Sequence, residues 1–140
     1  MEEQRPKVGV GVLIFKEGKV LLGKRKGSHA EGVYGGTGGH LDHLESIADC
    51  AKRETMEEAG IEIENISFLC VSNVTTYAPR HYIDIGVRAD WKAGEPETLE
   101  PEKMEEWNWY DVDNLPSPLF EMIPHYLEAI EKGVYFHDAS

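Results

Sequence analysis

The sequence predicts an α/β fold, and three observations carry that prediction. β-Branched apolar runs recur along the chain, the segment 46–60 opens on a helix-capping serine and closes on a glycine, and a second apolar stripe at helical spacing lies near the C-terminus. With 140 residues and 41% hydrophobic content the chain can close one core, so residues 1–140 are expected to form a single domain.

The elements follow in order. Residues 8–15 are β-branched and apolar, Lys16, Glu17, Gly18 and Lys19 supply turn chemistry, and 20–25 resume strand character, which predicts a hairpin. Residues 27–39 are rich in glycine and carry Tyr34, so a loop or short strand with backbone open to close approach is expected, a plausible ligand cradle. Ser46 can cap a helix with Asp49 three residues on, and Gly60 fits its left-handed stop, which places a helix over 47–59. Residues 61–66 alternate, 68–71 are apolar and 82–87 alternate after the turn-like 78–80, giving further strands. The acidic, proline-containing stretch 92–105 reads as a loop, and 106–110 as a strand with Trp107 and Trp109 on one face. Phe120, Ile123, Leu127 and Ile130 recur at helical spacing before Gly133, so a helix starting near Pro118 or Pro124 is expected to pack on the sheet.

Charge narrows the partners. Asp and Glu number 26 against 14 Lys and Arg, and the net charge of −12 repels nucleic acid polymers and anionic membrane surfaces. A small phosphorylated ligand can still bind through a metal, a helix N-terminus or local cations, and Lys24, Arg25 and Lys26 form such a basic cluster beside the glycine-rich loop. No apolar run approaches the roughly eighteen residues of a membrane span. No apolar leader precedes Glu2, Glu3 and Arg5, and Cys50 and Cys70 lack zinc-ligand spacing, so a cytoplasmic protein with reduced thiols is expected.

Glu54, Glu57 and Glu58 stand at i, i+3 and i+4, which puts three carboxylates on one helix face with Cβ atoms about 6 Å apart. Such crowding calls for a cation, a proton or full exposure. Hard oxygen donors in this number suit Mg²⁺ or Mn²⁺, which share their remaining sites with phosphate oxygens. The metal would neutralise a diphosphate, orient it and lower the pKa of a bound water. Arg53, one turn from Glu57, can reach back to Glu45, and pairing with Arg53 is the expected role of Glu45.

Gly39, Glu45, Arg53, Glu54, Glu57, Glu58, Gly60 and Ile61 resemble the Nudix box, Gly-x5-Glu-x7-Arg-Glu-U-x-Glu-Glu-x-Gly-U with U a bulky aliphatic residue. The resemblance extends to 22–26, 100–103, 107–109 and 114–116, which look like the small MutT-type nucleotide diphosphatases of the plant cytosolic and animal thiopurine-nucleotide-degrading branch. It implies an α/β/α sandwich with a mixed sheet between helices. It also implies metal binding by Glu54, Glu58, Glu57 and the Gly38 carbonyl, catalytic roles for Glu54, Glu57, Glu58 and Arg53, and substrate contacts from Arg25, Gly38, Gly39 and Tyr34. Relatives of this branch suggest a homodimer.

The chain departs from the pattern at four points. The usual aromatic-x-apolar-Pro-Gly-Gly entry has Gly36 and Thr37 at its apolar and proline positions, the usual glycine before the box glutamate is Leu44, and the U position after Glu54 is Thr55. Base recognition by the loop therefore does not transfer from relatives.

The water-activating carboxylate is Glu57 or a later glutamate such as Glu102, Glu105 or Glu106. His40 and His43 are expected to face solvent or cap, and Tyr34, Tyr77, Trp107 and Phe120 either stack on a base or serve the core. These readings predict a Mg²⁺-dependent hydrolase converting a nucleoside triphosphate, modified or not, to monophosphate and pyrophosphate. A prenyl diphosphate, nucleotide sugar or ADP-ribose substrate is the alternative, and a non-catalytic nucleotide sensor is the third.

Overall fold

A computed structural model describes residues 3–27 and 30–138. Its elements are β1 (Lys7–Lys16), β2 (Lys19–Arg25), β3 (Tyr34–Gly35), β4 (Thr37–His40), α1 (Ile47–Ala59), β5 (Glu62–Val74), β6 (Tyr82–Ala93), β7 (Met104–Asp111), α2 (Met122–Lys132) and β8 (Phe136–His137). Of the glycine-rich loop, Ser28 and His29 lie outside the described residues.

The sheet is mixed and runs β3-β2-β1-β6-β5-β8, with β4 joined to β1 and β7 to β2. β1 and β6 pair in parallel, as do β5 and β8, and the other pairs are antiparallel. One edge of β1 changes partner along its length. Phe15 and Lys16 pair with β2, whereas residues 9–12 pair with β4. The sheet forks there, and the fork opens the cleft described below.

Strand alternation divides the core into two layers. Val10, Val12 and Ile14 of β1 meet Cys50, Ala51 and Ala59 of α1, while Leu13 on the opposite face joins Met122, Ile123 and Tyr126 of α2. Leu13, Ile14, Leu21 and Leu22 are fully sealed, and each contributes roughly 2 kcal/mol of apolar burial. A helix covers each face, which is the expected α/β/α sandwich.

Helix α1 begins and ends where its signals stand. Ser46 accepts from the Asp49 N–H at 3.0 Å, and Gly60 takes φ 69° at the C-terminus. Helix α2 starts at Met122 with Pro124 in its first turn, a position that needs no amide hydrogen.

Three segments differ from expectation. The segments 61–66 and 68–71, read as separate, fall in one strand that starts at Glu62 and runs to Val74, because its ladder shifts register at bulges while Asn65, at φ 55°, breaks the alternation seen in the sequence. β7 starts at Met104 inside the expected loop, and a shift opposite Leu22–Lys24, with Glu106 at φ 55°, bends it. β8 adds two residues beside Val71 and Ser72, too few to show a pattern.

Candidate active site

Helix α1 lies against β4, and its carboxylates meet the strand's bare backbone. Glu58 is 6% exposed, and its Oε1 accepts the Gly38 N–H at 2.8 Å. A Cβ on Gly39 would overlap the Glu54 carboxyl, so glycine there is what admits Glu54. Burial pushes Glu58 up to about 8, opposed by the Gly38 N–H and reinforced by Glu54 and Glu100. Burial also raises Glu54, against the pull of Arg53.

Arg53 ties the entry loop to the helix. Its Nε donates to Glu45 Oε2 at 2.7 Å and its Nη2 to Glu45 Oε1 at 2.9 Å, a bidentate pair. The same guanidinium donates to Glu54 Oε1 at 2.7 Å, to the His40 carbonyl at 3.1 Å and to Glu57 at 3.4 Å. Glu45 is held down at about 2 chiefly by that arginine bond, as its expected pairing role requires.

A cleft of about 760 Å³ opens beside these groups, within the size range of small-molecule sites. Glu54, Glu58, Gly38, Gly39 and His40 line it together with Tyr77, Tyr82, Asp84, Phe120 and Tyr126. Arg25 also lines it, with its guanidinium 4.3 Å above the Phe120 ring. Its Nε is a buried donor with no partner among the described residues, and burial lowers its pKa.

The remaining residues singled out in the sequence divide. Tyr34, expected at the substrate, instead packs edge-on to Tyr110 in the α2-side core, because its backbone is tied to Pro118 and Phe120. Glu57 and Arg53 are not among the cleft-lining residues; the Glu57 side chain is about half exposed. Trp107 is buried over Gly23 on the α1 face. Glu102, Lys26 and Lys103 line the cleft, Lys26 pairs with Glu105 at 3.3 Å, and His43 is exposed. His40, expected in solvent, is exposed yet borders the cleft and stacks on Tyr82.

Among the described residues no three His, Cys, Asp or Glu side chains converge as a ready metal cage. Glu54, Glu58 and the Gly38 backbone nonetheless present hard oxygens at the cleft, and two carboxylates sunk side by side are short of positive charge. That donor set fits Mg²⁺ or Mn²⁺, which keep several waters rather than demanding an all-protein cage. Asp84 and Tyr126 escaped the sequence reading. The available signal for Asp84 was an acid in the middle of an apolar, alternating strand.

A carboxylate helix is thus laid on a glycine strand beside an arginine-bearing cleft. Residues 5–132 match the NUDIX domain family, and the chain belongs to the Nudix family. The chain is 30% identical over 117 residues to an NAD-capped RNA hydrolase NudC of Stutzerimonas stutzeri (strain A1501), covering 83% of this chain and 41% of that protein. It is 31% identical over 106 residues to an oxidized purine nucleoside triphosphate hydrolase of Danio rerio, covering 75% of this chain and 66% of that one. The chain thus spans less than two thirds of either relative's length. The crystal structure of a MutT NUDIX hydrolase from Burkholderia pseudomallei superposes with a TM-score of 0.81 at 35% identity, covering 92% of this chain and 98% of the other.

Proposed function

We propose that the protein is a Mg²⁺- or Mn²⁺-dependent pyrophosphohydrolase that converts a nucleoside triphosphate to the monophosphate and pyrophosphate. The observation that carries this reading is a single cleft lined by Glu54, Glu58 and the Gly38 backbone together with Arg25 and aromatic side chains. The Danio rerio relative, a hydrolase of oxidized purine nucleoside triphosphates, supports the substrate class.

Glu54, Glu58 and the Gly38 carbonyl would hold the cation, with Glu57 one turn away on the same helix. When bound, the metal supplies charge neutralisation and a more acidic water. Arg53 positions Glu54 and the entry loop, and Arg25 offers its guanidinium to phosphate oxygens. The oxygen of water becomes bonded to phosphorus, the P–O–P bridge breaks, and pyrophosphate leaves. Glu57 on α1 or Glu102 in the cleft wall accepts the water's proton. A cytoplasmic homodimer is proposed on family resemblance, and sedimentation at micromolar concentration tests the dimer.

The NudC relatives favour a second reading, in which a dinucleotide diphosphate is split into two monophosphates. A panel of nucleoside triphosphates, nucleotide sugars, prenyl diphosphates and NAD in Mg²⁺ separates the readings by product. Pyrophosphate plus monophosphate, lost in Glu58→Gln, sustains the first; two monophosphates from NAD alone replace it. Turnover of none leaves a sensor. Glu57→Gln and Glu102→Gln in the same assay identify the proton acceptor.

A further inference from the structure

Gly11 on β1 and Gly86 on β6 are register partners, and a Cβ on either would overlap the ring of Tyr126 from α2. Glycine inside a strand weakens it, so the two mark a place where close approach matters more than strand stability. The ring lies against bare backbone, and its hydroxyl donates to Asp84 Oδ2 at 2.6 Å. Tyr126 is 3% exposed, whereas Asp84 is half-buried and lines the cleft. The Tyr126 hydroxyl is the hydrogen-bond partner seen on the Asp84 carboxyl, and it occupies Oδ2. The register partner of Asp84, Gly9, has no side chain to cover Oδ1.

The position suits a ligand that spans the cleft. His40, Gly9 and Asp84 are register partners across β4, β1 and β6, so the Asp84 backbone lies two strand spacings, about 10 Å, from that of His40. His40 adjoins Gly39, on which the Glu54 carboxylate packs. That separation is within the length of one nucleotide, with Arg25 and the Phe120 ring also in the cleft wall.

Building on the functional reading above, we infer that Asp84, positioned by Tyr126, is the specificity-determining residue that reads the hydrogen-bonding edge of the ligand's base. It selects an edge that presents an N–H donor, as a 6-oxopurine does, over one that presents a ring acceptor. With Oδ2 already accepting from Tyr126, an ionised carboxylate offers only further lone pairs. A ring nitrogen acceptor would leave two acceptors facing each other without a proton, which costs far more than a lost contact. Burial raises the acid to about 6, the Tyr126 bond opposes this and Glu121 adds to it, and Cys70 also faces the group as a thiol. The carboxylate form therefore prevails at neutral pH. A latch for a tyrosine hydroxyl needs only a neutral acceptor, and sinking a charge here is costly unless a ligand's donors satisfy it.

The test compares kcat and KM for GTP, ITP and ATP in wild type, Asp84→Asn and Tyr126→Phe, with thermal unfolding of each variant as the fold check. Wild type should favour GTP and ITP over ATP in kcat/KM by about tenfold or more. Asp84→Asn, nearly isosteric but able to donate, should erase that ratio through KM with kcat retained. Tyr126→Phe keeps the ring and loosens the carboxyl, so the ratio should shrink partway; this second variant carries the test should Asp84→Asn not fold. An unchanged ratio, or an equal fall of kcat for all three substrates, overturns the inference while leaving the hydrolase reading intact. Should wild type hydrolyse none of them, the nucleoside-triphosphate reading falls, and calorimetric binding of GMP, IMP and AMP decides the inference on its own. A preference for GMP and IMP that Asp84→Asn abolishes sustains it, and equal or absent binding overturns it.

Discussion

Thr37 on β4 and Thr55 on α1 share a hydrogen bond of 2.8 Å between their hydroxyl oxygens, and both side chains are sealed from solvent. These are two of the four positions at which the chain departs from the Nudix pattern. The departures are a matched pair, since either hydroxyl alone would be a buried polar group without a partner. The bond fixes β4 on α1 one residue before Gly38, whose N–H holds Glu58.

Thr55→Val should therefore destabilise the protein by about 1–3 kcal/mol, the cost of stranding the Thr37 hydroxyl. Thr37→Val/Thr55→Val removes both groups and should be closer to wild type than the sum of the single changes. Urea denaturation of the four proteins measures the coupling, and strict additivity would falsify the pairing argument.

Leu44 is the departure with no compensating partner. It takes φ 64° and is 92% exposed, so a left-handed backbone is imposed on a residue that gains nothing by burial. Leu44→Gly should raise stability by about 1 kcal/mol by relieving that strain. A lower thermal midpoint for the variant would mean that the leucine makes a contact that offsets its backbone.

The Glu45–Arg53 pair predicts how stability responds to acid. Glu45 has an ordinary value of 4.5 and is held at about 2 in the folded chain. An acid whose folded pKa is depressed contributes stability above its unfolded value, and that contribution is lost as pH falls through the folded one. Glu45→Gln should thus be less stable than wild type at pH 7, with the gap narrowing below about pH 4.5 and closing near pH 2. Urea midpoints across that range check it, and a gap independent of pH would assign the loss to packing.

How legible this was depended on the range of each interaction. Ser46 and Gly60 mark α1 because caps are local, and Glu45–Arg53 could be anticipated because a fixed spacing brings loop and helix together. The pairing of Asp84 with Tyr126 in the cleft wall was not legible. Asp84 and Tyr126 are 42 residues apart, and only the parallel pairing of β1 with β6 and the crossing of α2 put the hydroxyl on the carboxyl. Tyr34 misled for the complementary reason: an aromatic in a glycine loop looks available until β3 folds it toward Tyr110. The long β5 was hidden by its own bulges, which interrupt alternation without interrupting the ladder.

With Glu58 as the proposed ligand, metal binding would be a proton-releasing event. Its ordinary value is 4.5 and burial lifts it to about 8, so in the metal-free protein at pH 7 the folded state holds a proton there that the unfolded state has lost. Between those values the folded protein binds more protons than the unfolded one, and this group's contribution to stability falls as pH rises. A cation needs the carboxylate, so Mg²⁺ must displace that proton. Calorimetry in buffers of different ionisation enthalpy should show roughly one proton released per metal at pH 7, and little above about pH 9. Apparent affinity should climb with pH until the group is ionised without help, then level off. Glu58→Gln should bind Mg²⁺ weakly and without that release. Mg²⁺ binding that is tight and proton-neutral at pH 7 would mean that Glu58 is already ionised, and that the Gly38 N–H outweighs burial.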